Sequence, residues 1–168
     1  MTKYEHALQE AADNGLEIIE DFAFDSDAGG LLIGHTVLMS HRLRLYKEKY
    51  CVLAEEIAHH DLNVGDILDQ SDAGASQQEY RARMRAFDRL IGLAGIVTCF
   101  KAGDRSLYEM AERLEVTEDF LKEALAAYRL RYGDGIMVDD SGSVLNHFEL
   151  FVNIFVGALT FWILGHII

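Results

Sequence analysis

The residues best suited to chemistry lie together in the segment 53–60, Leu-Ala-Glu-Glu-Ile-Ala-His-His. Glu55 and His59 are four residues apart, so on a helix they project from the same face, one turn from each other. Glu56 lies roughly 100° around the helix from Glu55, at 3.6 residues per turn. This is the spacing of the His-Glu-x-x-His pattern, in which two side chains hold Zn²⁺ and the intervening Glu is the general base. Glu55 stands in place of the first His, and zinc also accepts carboxylate oxygen.

The same segment has a simpler interpretation. Glu-Glu-x-x-His is a common helical sequence, and by itself it also describes a solvated acidic face with a terminal His near the negative end of the helix dipole. The segment alone therefore leaves both a metal site and a plain helix surface open, and the surrounding sequence has to decide between them.

That surrounding sequence resembles the ImmA/IrrE family of metallopeptidases, in particular its phage and mobile-element branch. In this family a Glu on the next helix, followed by Ala three and seven positions later and then a Leu pair, supplies the remaining protein ligand. Glu79 begins a matching pattern here. The resemblance extends over roughly residues 3–149 and includes Cys51-Val-Leu-Ala-Glu-Glu-Ile-Ala-His-His60, Val64-Gly-Asp-Ile-Leu-Asp-Gln70, Glu79 with Ala82, Ala86 and Leu90-Ile91, and the stretch 107–125.

The resemblance implies a zincin-like helical core and one metal ion, Zn²⁺ or alternatively Mn²⁺, held by His59, Glu79 and Glu55. Glu56 is then the general base, which takes a proton from the attacking water and passes it to the leaving amine. Two carboxylates donate more negative charge to the metal than two imidazoles would. The water on the metal should therefore be less acidic, and we expect slow and selective cleavage. Glu55 and Ala58 depart from the usual motif. The alternative is therefore a relative without catalysis that acts by binding a protein.

Two further side chains near the motif are candidates for supporting roles. His60 is expected to support the metal ligands or an oxyanion, or else to be a helix-end His that interacts with the dipole. Asp66 is expected either to orient His59 through a hydrogen bond or to cap the following loop. His35, on a predicted strand, is expected to lie outside the site.

The resemblance also implies a partner, because family members cleave or inactivate a helix-turn-helix repressor of the same mobile element. We therefore expect a repressor protein as substrate and a cytoplasmic location. The segment 111–121 itself resembles a helix-turn-helix, which would make the chain a DNA-binding regulator. However, seven acidic and three basic residues lie between Asp104 and Ala126, and the whole chain has a net charge of -13. Phosphate would be repelled, so we expect no direct contact with nucleic acid.

The elements that carry these residues follow from the hydrophobic periodicity. It predicts an α+β fold: a small antiparallel sheet with a helical core, and a mostly helical C-terminal half. The predicted helices cover 3–14, 43–60 and 77–102, then a short helix capped by Ser106 and a longer one from Thr117 to Gly133. The predicted strands lie within 16–40, with one more at 144–149 after a turn-rich segment, 134–143.

Composition and charge separate a globular part from an apolar C-terminal end. Residues 1–149 are expected to form one peptidase domain, with Cys51 and Cys99 as buried free thiols. Residues 150–168 are nineteen residues without a charged side chain unless His166 titrates. As a helix they would reach about 28 Å, close to the roughly 30 Å thickness of the hydrocarbon core. This tail is a candidate membrane anchor, and the alternative is a last helix packed into the core.

Overall fold

The computed structural model of the chain describes residues 1–65, 75–133, 135–137 and 151–153. Over these residues the chain forms six helices and two small sheets. This confirms the predicted α+β class and the mostly helical C-terminal half. The chain divides into two compact units, residues 1–90 and 91–168.

The first unit contains every described residue of the predicted site. Its elements are α1 (Lys3–Asp13), β1 (Glu17–Phe22), β2 (Gly30–Ile33), β3 (Thr36–Ser40), α2 (Tyr46–Gly65) and α3 (Ala75–Leu90). The start of α1 is fixed locally, because Thr2 and Glu5 form a capping box in which each side chain accepts a hydrogen bond from the backbone N–H of the other. The predicted helix 3–14 is thus confirmed, and α2 extends five residues past His60, to Gly65.

The sheet is mixed, so the prediction of an antiparallel sheet is wrong for one of its two pairings. β3 lies in the centre, β2 pairs with it antiparallel and β1 pairs with it parallel. The β2–β3 hairpin has a two-residue loop in which Gly34 has a φ of +62°, as a type II′ turn requires. The segment 23–29 connects β1 to β2, and β3 lies between these two strands in the sheet. β1 and β2 therefore lie at opposite edges, which the local strand pattern does not determine.

One face of this sheet packs against α1 and α2. Val37 and Met39 of β3 are fully buried together with Leu53 and Ile57 of α2. Full burial of such a side chain stabilises the fold by about 1.5–3 kcal/mol. This core fixes the rotation of α2, and with it the direction in which the residues of the predicted site project.

A polar contact at the edge of this core ties three elements together. The Tyr4 hydroxyl of α1 donates to Glu20 Oε1 of β1 over 2.5 Å, and Lys49 Nζ of α2 donates to the same oxygen over 2.9 Å. The hydrogen bond from Tyr4 and the charge of Lys49 lower the pKa of the Glu20 carboxyl. The start of α2 is thereby held against the sheet.

Small residues are buried on both α2 and α3, which pack against each other. Ala54 and Ala58 of α2 and Ala82 and Ala86 of α3 are each at most 2% exposed. The distance between two packed helices depends on the side chains at their contact, and small ones allow a close approach. This brings the exposed N-terminal part of α3, with Glu79, within reach of α2.

The predicted helix 77–102 is in fact two helices. α3 ends at Leu90, and α4 (Gly92–Ala102) begins after Ile91. Gly92 has a φ of +56°, a conformation outside the right-handed helical region that glycine adopts readily. The periodicity of the apolar residues continues across this point, and it therefore conceals the break.

The second unit continues with α5 (Leu107–Leu114), α6 (Glu118–Tyr132), β4 (Gly135–Met137) and β5 (Phe151–Asn153). The predicted caps are confirmed: Ser106 and Glu109 form a capping box, and the Thr117 side chain accepts from the backbone N–H of Phe120. Cys51 in the first unit and Cys99 in this one are buried and form no disulfide, as predicted.

The C-terminal end departs from the prediction. β4 lies in the segment predicted to be turn-rich, and it pairs antiparallel with β5. Residues 151–153 are therefore a strand and not the first turn of a tail helix, in keeping with the strand preference of Phe and Val. The predicted strand 144–149 and the rest of the tail lie outside the described residues. Within the described residues, no helix has the length and apolar character needed to cross a membrane.

Candidate metal centre

His59 of α2 and Glu79 of α3 lie side by side. His59 Nε2 is 3.4 Å from Glu79 Oε2, which is longer than the roughly 2.7–3.2 Å of a good N–H···O hydrogen bond. Two ligand atoms that are each about 2.0–2.1 Å from a tetrahedral zinc ion are about 3.4 Å apart. The pair therefore has the spacing of two ligands of one zinc ion, and it contains the donor types that zinc accepts.

Glu55 has a different neighbour. Its Oε1 is 3.9 Å from Arg83 Nε, and Arg83 lies one helical turn after Glu79 on α3. Among the described residues, no group of three or more His, Cys, Asp or Glu side chains is arranged to hold a metal ion. Two of the predicted ligands are thus adjacent, while the third contacts a guanidinium group. Its role as a ligand stays a prediction.

Glu56 points toward the sheet and is partly buried against β2. Its carboxylate accepts a hydrogen bond from the backbone N–H of Leu32. Gly30 makes room for it, because a Cβ at that position would lie only 2.9 Å from Glu56 Oε1. An edge strand and a helix therefore hold this carboxylate in place between them.

The surroundings of Glu56 change its acidity. Burial, above all, and then the negative charges of Glu55 and Glu79 raise the pKa of the Glu56 carboxyl to about 7, against the opposing hydrogen bond from Leu32. A general base is most effective when its pKa lies near the working pH, because it can then both accept and release a proton. Glu56 has this property in the arrangement described.

The charge of this region suits a divalent cation. The carboxylates of Glu55 and Glu79 both act on Glu56, and Arg83 is the cation paired with Glu55. Carboxylate oxygen and imidazole nitrogen are both common ligands of zinc, and carboxylates also suit Mn²⁺. The donor set and the 3.4 Å separation of His59 Nε2 and Glu79 Oε2 fit the metal ion that the sequence predicts.

His60 projects from α2 toward the β2–β3 hairpin instead of toward α3. Its Nε2 is 3.2 Å from His35 Nδ1, in the hairpin loop, and the residue is only 8% exposed. The sequence does not predict this contact, because it forms between two elements that meet only in the folded chain. Asp66, the other predicted supporting residue, lies outside the described residues.

Arg83 and Gly30 were also missed. A signal for Arg83 was present, because it follows Glu79 by four residues and so shares its helix face. The role of Gly30 had no comparable signal, because it depends on the approach of β2 to α2. No protein-family model matches this chain, and no curated protein is significantly similar to it.

Proposed function

We propose that this chain is a metal-dependent endopeptidase of the ImmA/IrrE type, and that it cleaves a helix-turn-helix repressor of a phage or mobile element. The observation that best supports the proposal is the position of Glu56. This carboxyl group has a pKa of about 7 and lies under the electrostatic influence of Glu79, which pairs with His59. Metal-dependent hydrolysis of an amide requires a general base whose pKa lies near the working pH, next to the residues that hold the metal ion.

In this proposal His59 and Glu79 hold the metal ion, with Glu55 as a further ligand if it leaves Arg83. When bound, zinc supplies Lewis acidity, which favours attack of water on a carbonyl carbon. Glu56 accepts the proton of the attacking water as the new C–O bond forms. It then donates that proton to the amine nitrogen as the peptide C–N bond breaks.

The fold also offers a place for the substrate. β2 is an edge strand of its sheet, and it contributes both Gly30 and the Leu32 N–H to the surroundings of Glu56. An extended peptide can add to such an edge through main-chain hydrogen bonds. Its scissile bond would then lie near Glu56.

The direct test is to incubate the purified protein with the repressor encoded next to its gene. Cleavage is expected with added Zn²⁺ or Mn²⁺ and should stop with a chelator. Glu56→Gln provides the matched control: it should keep its metal and lose cleavage by about 10²–10⁴-fold, the usual contribution of a general base. Undiminished cleavage by metal-loaded Glu56→Gln would contradict the mechanism.

A second candidate function is that of a non-catalytic relative that inactivates the repressor by binding alone. The contact between Glu55 and Arg83 favours this alternative, because it engages one of the three predicted ligands. Metal content distinguishes the two functions. About one equivalent of Zn or Mn that is lost in His59→Ala supports the enzyme, whereas a protein without that equivalent that still binds the repressor supports the binder.

Direct DNA binding is not part of the proposal. α5, the connection 115–117 and α6 follow one another as in a helix-turn-helix, but the first turn of α6 carries Glu118 and Asp119, both exposed. These carboxylates would face phosphate and be repelled by it. The proposed partner is therefore the repressor protein itself, which places the proposed activity in the cytoplasm.

A further inference from the structure

His59 and His60 are neighbours in α2 that face different elements. Consecutive helical residues are about 100° apart around the axis, so while His59 lies beside Glu79 of α3, His60 faces the hairpin loop. The rings of His60 and His35 are tilted by 63°, with their centroids 5.3 Å apart. α2 thus directs the imidazole of His59 toward α3 and the imidazole of His60 toward the hairpin loop.

The Nδ1 atom of the His60 ring is buried and is not satisfied by its surroundings. The residue is 8% exposed, and its Nδ1 has no hydrogen-bond partner among the residues that the structure describes. Asp61 Oδ1 is 3.9 Å from that nitrogen, which is too long for a hydrogen bond. A buried polar atom without a partner is costly, and in a native protein it calls for an explanation.

In the tautomer of His60 that has its proton on Nδ1, that N–H lies on the side of Asp61. Nε2 then carries a lone pair and directs it toward His35. Histidine side chains that bind metal ions also coordinate through one ring nitrogen and keep the proton on the other, which commonly faces a carboxylate. The hairpin loop that carries His35 is partly exposed, so water can reach the space beside the two rings.

We propose that His35 and His60 form a second metal site, separate from the His59–Glu79 pair, for one first-row transition metal ion such as Zn²⁺ or Cu²⁺. The 3.2 Å between His35 Nδ1 and His60 Nε2 fits one ion. Two nitrogen ligands at about 2.0–2.1 Å are about 2.9 Å apart at a right angle and about 3.4 Å apart at a tetrahedral angle. Water completes the coordination.

An ion at this site links the β2–β3 hairpin to α2. These are the two elements that hold Glu56, through Gly30 and Leu32 on one side and the helix on the other. The site therefore acts as a removable cross-link beside the proposed base, and it stabilises the folded chain because the unfolded chain does not bring His35 and His60 together.

The test is a Zn²⁺ titration of the full chain by calorimetry, with His35→Ser compared with the parent. His35 is the second residue of the hairpin loop, where Ser is well accepted, so the fold should be retained and circular dichroism can check it. We expect His35→Ser to lose one equivalent of bound zinc. His41→Ser is the matched control, because His41 also lies next to β3 and its Nδ1 is 3.2 Å from the Phe22 carbonyl oxygen. It should lose none.

A second measurement uses Cu²⁺ on the parent protein, since copper binds such sites more tightly than zinc. Electron paramagnetic resonance should show two imidazole nitrogens on one copper ion, and this signal should be absent in His35→Ser. If His35→Ser binds as many equivalents as the parent and shows the same copper spectrum, the two rings only share a hydrogen bond and the proposal is wrong. His59→Ala separates the two sites: its loss of zinc concerns the proposed catalytic centre alone.

Discussion

At the scale of single residues, the acidity of Glu56 has consequences for stability as well as for catalysis. The pKa of this carboxyl group rises from 4.5 to about 7 in the folded chain. Between these values the folded chain binds a proton that the unfolded chain has released, so the free energy of unfolding falls as the pH rises from about 4.5 to about 7. Above pH 7 the ionised, partly buried carboxylate destabilises the metal-free protein.

Replacement of this residue should therefore stabilise the metal-free protein at high pH. In the presence of a chelator, Glu56→Gln should be more stable than the parent by about 1–3 kcal/mol above pH 7, after allowance for partial exposure. The two proteins should be nearly equal below about pH 4.5. Urea unfolding at a series of pH values measures the difference, with the exposed Glu17→Gln as control. A difference that is independent of pH would show that the surroundings of Glu56 do not raise its pKa.

The 3.4 Å approach of His59 Nε2 to Glu79 Oε2 leads to a prediction about metal content. His59→Ala or Glu79→Ala should each remove about one equivalent of bound metal, because each leaves at most two of the ligands predicted for this centre. Gln78→Ala, next to Glu79 on the same exposed turn of α3, should leave metal content unchanged. Elemental analysis of the purified variants decides the matter. If Glu79→Ala binds as much metal as Gln78→Ala, Glu79 is not a ligand.

At the scale of elements, the distance between β2 and α2 decides where Glu56 can lie. A Cβ at Gly30 would approach Val52 Cγ1 to 2.6 Å and Glu56 Oε1 to 2.9 Å. Gly30→Ala should thus push the strand and helix apart, lower the free energy of unfolding by about 1–3 kcal/mol and reduce cleavage. Leu31→Ala is the control, since this neighbouring side chain is 46% exposed. Chemical denaturation and the repressor assay measure both effects, and a Gly30→Ala protein as stable and active as Leu31→Ala would refute the close approach.

What the sequence could predict at this scale depends on the range of the interactions involved. The capping boxes at Thr2 and Ser106 join residues three positions apart, so the starts of α1 and α5 can be read directly from the sequence. The parallel pairing of β1 with β3 depends on the path of the connection 23–29. The break at Ile91 is hidden because the apolar pattern continues through it.

The same distinction applies to the candidate site. Glu55, Glu56 and His59 lie within one helical turn, so the sequence determines their relative directions once α2 forms. Their partners come from other elements: Arg83 beside Glu55 and His35 beside His60. No local sequence pattern determines the rotation of α3 or the position of the hairpin relative to α2. The packed core fixes both, so the contacts of Arg83 and His35 could not be predicted from the sequence.

At the scale of the whole molecule, charge and the apolar tail have opposite effects at a membrane. The chain has a net charge of -13, and anionic lipid headgroups repel such a protein. Residues 154–168 contain no charged side chain unless His166 titrates. Transfer of such an apolar segment from water into lipid is favourable.

We expect the tail to attach the protein to a membrane through apolar contacts. Vesicles of uncharged phosphatidylcholine should bind the full chain, and vesicles rich in phosphatidylserine should bind it less well, a difference that salt reduces because it screens the repulsion. A chain ending at Asn153 keeps β5 and its pairing with β4, so it removes the tail without removing that strand. It should stay unbound in co-sedimentation. If the full chain also stays entirely in the supernatant with uncharged vesicles, the tail is not an anchor.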